Sequence, residues 1–342
     1  MMKLVMMYLI TCLLLFTSCM QVEQVDPTQG NTGQVAVADS LPEIPPMEGS
    51  PRLTVEDIVI TRELLYDKYT LEDVYPYKDT TRMFQWEKVQ YCLFFLDSIQ
   101  EEKASWGILQ NYKHRNKEAA VVKDYHRNEY KLVTDPYGVS RYQSAPVYSL
   151  LDSVTPERYG RDGSLVKIRE VGTNFTRVST ISFAGDWLVP NRYIKPLPDS
   201  VAFKKVIVVD VTNQNIATLD KAEGHQWLVR SMNPSTTGLH RPPYQHETPL
   251  GLFAIQEKKP KMIYLKDGST ETGGFSPWAS RFCNGGYIHG VPVNVPRTSL
   301  IEYSQTLGTT PRSHMCVRTA TSHAEFIYNW QLTNETVVFV ID

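Results

Sequence analysis

The sequence carries no surplus of positive charge: 35 Lys and Arg stand against 37 Asp and Glu, a formal net charge of -2. That leaves no broad basic field for nucleic acid, and no nucleic-acid partner is expected. Cysteine is scarce, five in 342 residues. No Cys-x-x-Cys or His-Glu-x-x-His spacing occurs, so neither a zinc site nor any other cofactor is expected. Internal repeats are absent, which excludes solenoids. Beyond the N-terminus no apolar run is long enough to span a bilayer. The length exceeds one ordinary core and predicts two or three domains.

What is present begins with Met1-Met2-Lys3, an apolar run from Leu4 to Phe16, then Thr17-Ser18-Cys19. The run is too short for a membrane helix and has the shape of a signal peptide. Small residues before a cysteine resemble a bacterial lipoprotein signal, which implies cleavage after residue 18 and a lipid on Cys19. A plain secretory signal is the alternative. Residues 19–52, rich in Gln, Pro, Asp, Gly and Thr, predict a disordered tether. Its mean reach would be ~30 Å. The expected location is the cell envelope, held to a membrane by the lipid and facing the periplasm. No Asp follows Cys19, which by analogy favours the outer membrane.

The fold class expected is mainly β with some α. Residues 53–132 read as a helical segment, with Trp86, Val89, Leu93, Leu96 and Ile99 at helix spacing and Asp79 as N-cap. Residues 133–197 turn to short strands. Their stretch Gly185-Asp186-Trp187-Leu188-Val189-Pro190-Asn191-Arg192-Tyr193-Ile194 resembles the closing strands of a bacterial SH3-like domain, implying a small β-barrel. From 201 to 342 strands dominate. Val206–Val211 is a near-continuous apolar strand, Ile216–Leu219 its hairpin partner, Thr321–Gln331 a helix and Val337–Ile341 a last strand.

Cys92, Cys283 and Cys316 remain after the export signal, an odd count that flags a free thiol. A Cys92–Cys283 disulfide and two buried thiols are both open. The stretch Ser313-His314-Met315-Cys316-Val317-Arg318 carries the chemistry, with Tyr287-Ile288-His289-Gly290 upstream. A thiol becomes a nucleophile when an imidazole takes its proton. Arg318 adds a fixed charge that favours a thiolate or binds a carboxylate. Cys316 as an inert buried thiol, or the His and Cys residues as zinc ligands, are the bland alternatives.

This set resembles the L,D-transpeptidase (YkuD-type) family, whose signature is His-Gly followed by Ser/Thr-His-Gly-Cys and an Arg. Thr248-Pro249-Leu250-Gly251-Leu252-Phe253 resembles a second family segment. The resemblance implies a mixed β-sandwich catalytic domain over 201–342, with Cys316 as nucleophile and His289 as base, oriented by the Gly290 carbonyl. It puts Ser313, His314 and Met315 at the pocket and oxyanion hole, and Arg318, Thr248 and Gly251 toward substrate. The substrate would be a peptidoglycan stem peptide. Met315 replaces the family Gly, a strained choice if that position needs φ > 0. The spacer from His289 to Ser313 is longer than in the family, and a lid or loop is expected there. The alternatives are a hydrolase using the same thiol and a non-catalytic, lipid-anchored wall-binding module.

Overall fold

The computed structural model describes residues 53–342. Cys19, the signal segment and residues 19–52 lie outside the described residues. The frame follows from Lys205–Asp210, whose unbroken apolar run suits a strand covered on both faces. It pairs antiparallel with Asn215–Lys221 and parallel with Thr336–Ile341. Gln226–Pro234, then Val59–Arg62, extend this sheet on one side, and Gly251–Ala254 closes the other. Alternation along each strand sorts the side chains. Val206, Val208, Val337 and Phe339 enter one core, Ile207, Val209, Val338 and Val340 the other. Helix Trp86–Glu101 covers the first core through Val89, Leu93 and Leu96. A second sheet covers the other: Glu257–Leu265, Thr272–Cys283, Gly286–His289 and Val317–Arg318, in that order. It brings Phe282, Ile288 and Val317 inward, with Ile327 from helix Thr321–Trp330.

Several expected boundaries move. Within 53–132 the α-helix is confined to Trp86–Glu101 and starts at Gln85, not at Asp79. The flanks are strands. Val59–Arg62 joins the sheet built on Lys205–Asp210, and Val74–Tyr77 with Thr80–Met83 makes a hairpin of β-branched and aromatic residues. Ser105–Leu109, which continues the apolar signal of the helix, belongs to a third sheet, between Leu165–Val171 and Ile194–Pro196. That sheet therefore begins upstream of 133. Its order places Asp186–Pro190 and Ile194–Pro196 at opposite ends, so these five strands do not close a barrel. Cys92 and Cys283 are free and buried, so the two-thiol alternative holds and no disulfide joins them.

The third sheet is locked to the other two by one buried carboxylate. Asp162 Oδ1 accepts the main-chain N–H groups of Asn111 (2.8 Å) and Tyr112 (3.0 Å). Its Oδ2 accepts from Arg281 (2.5 Å), Gln256 (2.9 Å) and the Asn284 N–H (3.0 Å). Both ions are essentially inaccessible, and every lone pair is used, which a buried pair requires to be tolerated. The Arg281 guanidinium lies 4.4 Å from the Tyr112 ring centre. Gly163 adds a close approach: at φ +92 a Cβ there would stand 1.9 Å from the Phe282 carbonyl oxygen. The lock carries Tyr112 and Lys113 to the edge of the second sheet.

Candidate active site

Cys316 is delivered by a loop sewn down on both flanks. Arg312 and Ser313 donate main-chain bonds to Thr237, Leu239 N–H donates to Ser313, and Thr236 and Arg318 exchange a pair of bonds. Ser313 is fully buried, and its hydroxyl donates to the Cys316 carbonyl. Ser313 thus borders the cavity while serving mainly to close the loop. Met315 sits at φ +77, the left-handed conformation that glycine adopts freely and other residues adopt at a cost. Thr248 holds it there. Its hydroxyl donates to the Met315 carbonyl (2.8 Å) and accepts from the Gly238 N–H (2.8 Å). Among the described residues the Met315 and Cys316 N–H groups have no acceptor. Two adjacent free N–H groups beside a sulfur are the donor set an oxyanion needs.

His289 ends strand Gly286–His289, in parallel register with Arg318. Its Nδ1 donates to the Gly290 carbonyl at 2.6 Å, which leaves Nε2 as the basic nitrogen. Gly290 has no room for a side chain: a Cβ would stand 2.8 Å from Thr321 Oγ1 and 2.9 Å from Pro277. The ring is buried. Burial, with Arg318 adding to it and the Gly290 bond opposing, pulls its pKa down to about 3. Burial pushes the Cys316 thiol above its usual value, while the Tyr287 backbone and Arg318 draw it partly back. Cys316 Sγ donates to the Gly285 carbonyl at 3.5 Å. At neutral pH the resting pair is therefore a thiol and a neutral imidazole.

A cavity of about 760 Å³ holds Cys316, His289 and Arg318 on its wall. The long spacer after His289 supplies one side through Ile301, Tyr303 and Ser304. The hairpin Glu257–Leu265/Thr272–Cys283 and its tip supply the other, through Tyr264 and Asp267. Arg318 is half-buried, and its Nε has no partner among the described residues. No described carboxylate pairs with it, so the cavity presents an uncompensated cation beside the thiol.

His314 lines this cavity, as expected, from an exposed position, and its Nε2 is held by both Asp267 oxygens (2.8 and 3.0 Å), which binds the loop to the hairpin tip. Gly251, at φ +126, lines a separate small cleft with Arg158 and Phe183, not the Cys316 cavity. Thr248 acts from behind the loop through the two bonds above. His323 is a core residue between Thr319 and Ser231 (2.8 Å each), its pKa lowered by burial to about 3. Cys283 is core as well, pushed by burial up to about 12. Tyr112, Lys113 and Asp267 carry no local motif and were not found from sequence.

Residues 204–340 match the model of the YkuD family, the L,D-transpeptidase catalytic domain. That segment contains His289, the loop at 313–318 and both sheets apart from Val59–Arg62. Similar solved structures include a fused Zn-dependent amidase/peptidase/peptidoglycan-binding domain-containing protein from Clostridium acetobutylicum. It shows 20% identity over 40% of this chain and 51% of that one, at TM-score 0.29, so this chain spans about half its length. An L,D-transpeptidase from Mycobacterium smegmatis shows 17% identity over 52% and 82%, at TM-score 0.33. L,D-transpeptidase 3 from Mycobacterium tuberculosis shows 15% over 54% and 93%, at 0.32. These scores are too low to define a shared overall shape. A search of curated proteins finds no match.

Proposed function

We propose that this chain is a peptidoglycan L,D-transpeptidase working through a Cys316 thioester. The observation that carries the reading is that Cys316, Arg318 and an imidazole whose Nδ1 is fixed by the Gly290 carbonyl line one cavity. Cys316 Sγ attacks the carbonyl of the third stem residue as its proton passes to His289 Nε2. The oxyanion is taken by the Met315 and Cys316 N–H groups. Collapse breaks the peptide bond, and the terminal amino acid leaves with the proton from His289. An amine of a second stem then attacks the thioester, loses its proton to His289 and restores the thiol. Water in place of the amine gives the hydrolase.

The third sheet supports an SH3-like reading. Its strand order runs 186–190, 175–180, 165–171, 105–109, 194–196, with a 3-10 turn Asn191–Tyr193 before the last strand. Among the described residues no helix is long and apolar enough to cross a membrane. The proposed anchor is the lipid on Cys19, holding the protein at the outer membrane and facing the periplasm. A Cys19→Ala variant that stays in the membrane fraction refutes it.

Incubation with purified muropeptides tests the function. Joined dimers support the transpeptidase, cut products the hydrolase, and binding without turnover the wall-binding module. The family resemblance also implies acylation by a carbapenem. Intact mass should show one adduct, lost in Cys316→Ser. An adduct on Cys283 or Cys92 sinks the assignment.

A further inference from the structure

Cys316 also borders a second cavity, of about 500 Å³, whose lining does not include His289. Its walls come from two parts of the molecule. The hairpin gives Lys259 and Lys261, and the segment fixed by Asp162 gives Tyr112 and Lys113. Lys113 is held at φ +54, and its N–H donates to Gln143 (3.0 Å). Lys259 is engaged already, with Glu257 at 3.2 Å and the Tyr287 hydroxyl at 3.3 Å. Lys113 and Lys261 have no carboxylate partner among the described residues. Lys261 Nζ lies 4.1 Å from the Phe275 ring centre, and Lys113 Nζ 5.5 Å from that of Tyr112.

The position of the base divides the two cavities. The leaving amine must take a proton from His289, and the entering amine must give one back. By microscopic reversibility both occupy the same ground. His289 lines the 760 Å³ cavity and not the smaller one. The lysine-lined cleft is then left for the part of the donor that stays on sulfur. We propose that this cleft holds the retained acyl chain, and that Lys113 and Lys261 select a donor whose acyl chain carries free carboxylates. The inference rests on Cys316 being the acylated residue. It gives the third sheet a part in substrate choice through a lysine that the catalytic family segment does not contain.

The test uses two donor peptides that differ only in the acyl chain, one with free carboxylates and one with carboxamides. The rate of acyl-enzyme formation is followed by intact mass at 0.15 M salt. Wild type should acylate faster with the acidic donor. The Lys113→Gln/Lys261→Gln variant should lose about five- to tenfold with the acidic donor, the size expected of two exposed cation–carboxylate contacts. It should be unchanged with the carboxamide donor and in alkylation of Cys316 by iodoacetamide. Equal discrimination in variant and wild type overturns the inference. So does discrimination that appears only when the acidic group is moved to the acceptor amine. Wild type that forms no adduct on Cys316 with either donor overturns the underlying transpeptidase reading, and the inference falls with it.

Discussion

Replacing Thr248 by Val removes one hydroxyl and leaves the shape intact. Two hydrogen bonds go with it, from Gly238 N–H and to the Met315 carbonyl, each 2.8 Å long. A typical bond contributes about 1 kcal/mol, so about 2 kcal/mol is lost. Water has no space to take over. Gly238 packs so closely on residues 246–248 that a Cβ there would stand 2.2 Å from the His246 carbonyl oxygen. The Gly238 N–H is then buried and unpaired, which raises the expected cost to about 2–3 kcal/mol. The same change frees the Met315 peptide from its left-handed conformation, which costs a non-glycine residue about 1–2 kcal/mol. Its rotation moves the adjoining Cys316 N–H off the oxyanion position, and acylation should slow by roughly 10²-fold. Thr248→Ser keeps both bonds and should retain the rate within a few-fold. In a Met315→Gly background the left-handed conformation costs little, so Thr248→Val should slow acylation far less, while its stability cost persists. Urea denaturation and single-turnover acylation measure the two quantities. A Thr248→Val protein within about 0.5 kcal/mol and about twofold of wild type would falsify the pinning argument. An equal rate loss in the wild-type and Met315→Gly backgrounds would remove strain from it.

His289→Ala should slow acylation by roughly 10²–10⁴-fold, whereas His314→Ala should change it only a few-fold, because His314 is exposed and directed to Asp267; the reverse order in single-turnover assays exchanges their roles. The pKa values of His289 and His323 both lie near 3, below the ordinary 6.5, so the unfolded chain binds the extra protons. Their contribution to stability is complete above about pH 6.5 and is lost as pH falls toward 3, at about 1.4 kcal/mol each by pH 5.5. Denaturation at pH 7.5 and 5.5 should show that loss, and His323→Gln should remove about half of it; an unchanged pH dependence in that variant refutes the assignment. Asp162→Ala leaves Arg281 buried and unpaired and should cost about 3–5 kcal/mol, while a loss below about 1 kcal/mol in urea denaturation would show that the lock is dispensable.

The central strands were legible because a run such as Val206–Val209 has one economical place, inside a sheet covered on both faces. Cys316 and Arg318 stood out as candidates because they lie two residues apart, and His289 through the family resemblance; the strands Gly286–His289 and Val317–Arg318 pair in register. Short strands with distant partners were harder. Val59–Arg62 and Ser105–Leu109 are four and five residues long, and their state is decided by partners more than fifty residues away. Ser105–Leu109 lies inside the 53–132 segment read as helical, just behind a real helix. Asp162 has no motif either, since its meaning lies in five donors drawn from three separate segments. The effect of Met315 could be stated from sequence only as a condition on φ, and the loop geometry supplies the answer.

Arg318 joins the two halves of the electrostatic argument. It stands opposite His289 in the strand register and lowers the basicity of the ring, which opposes a resting imidazolium. It also lowers the thiol pKa, though less than burial raises it. A thiolate–imidazolium pair formed in advance would have to survive in a buried site beside a third charge, and burial penalises both ions. The neutral pair avoids that cost. Negative charge then first develops on sulfur and oxygen during attack, next to a guanidinium with a free Nε and two free N–H groups. Groups fixed before the reaction and matched to charge that appears only during it lower the barrier without tightening the resting complex. Under the proposed mechanism, the uncompensated cation in the cavity belongs to the transition state, and its removal should register in kcat more than in KM.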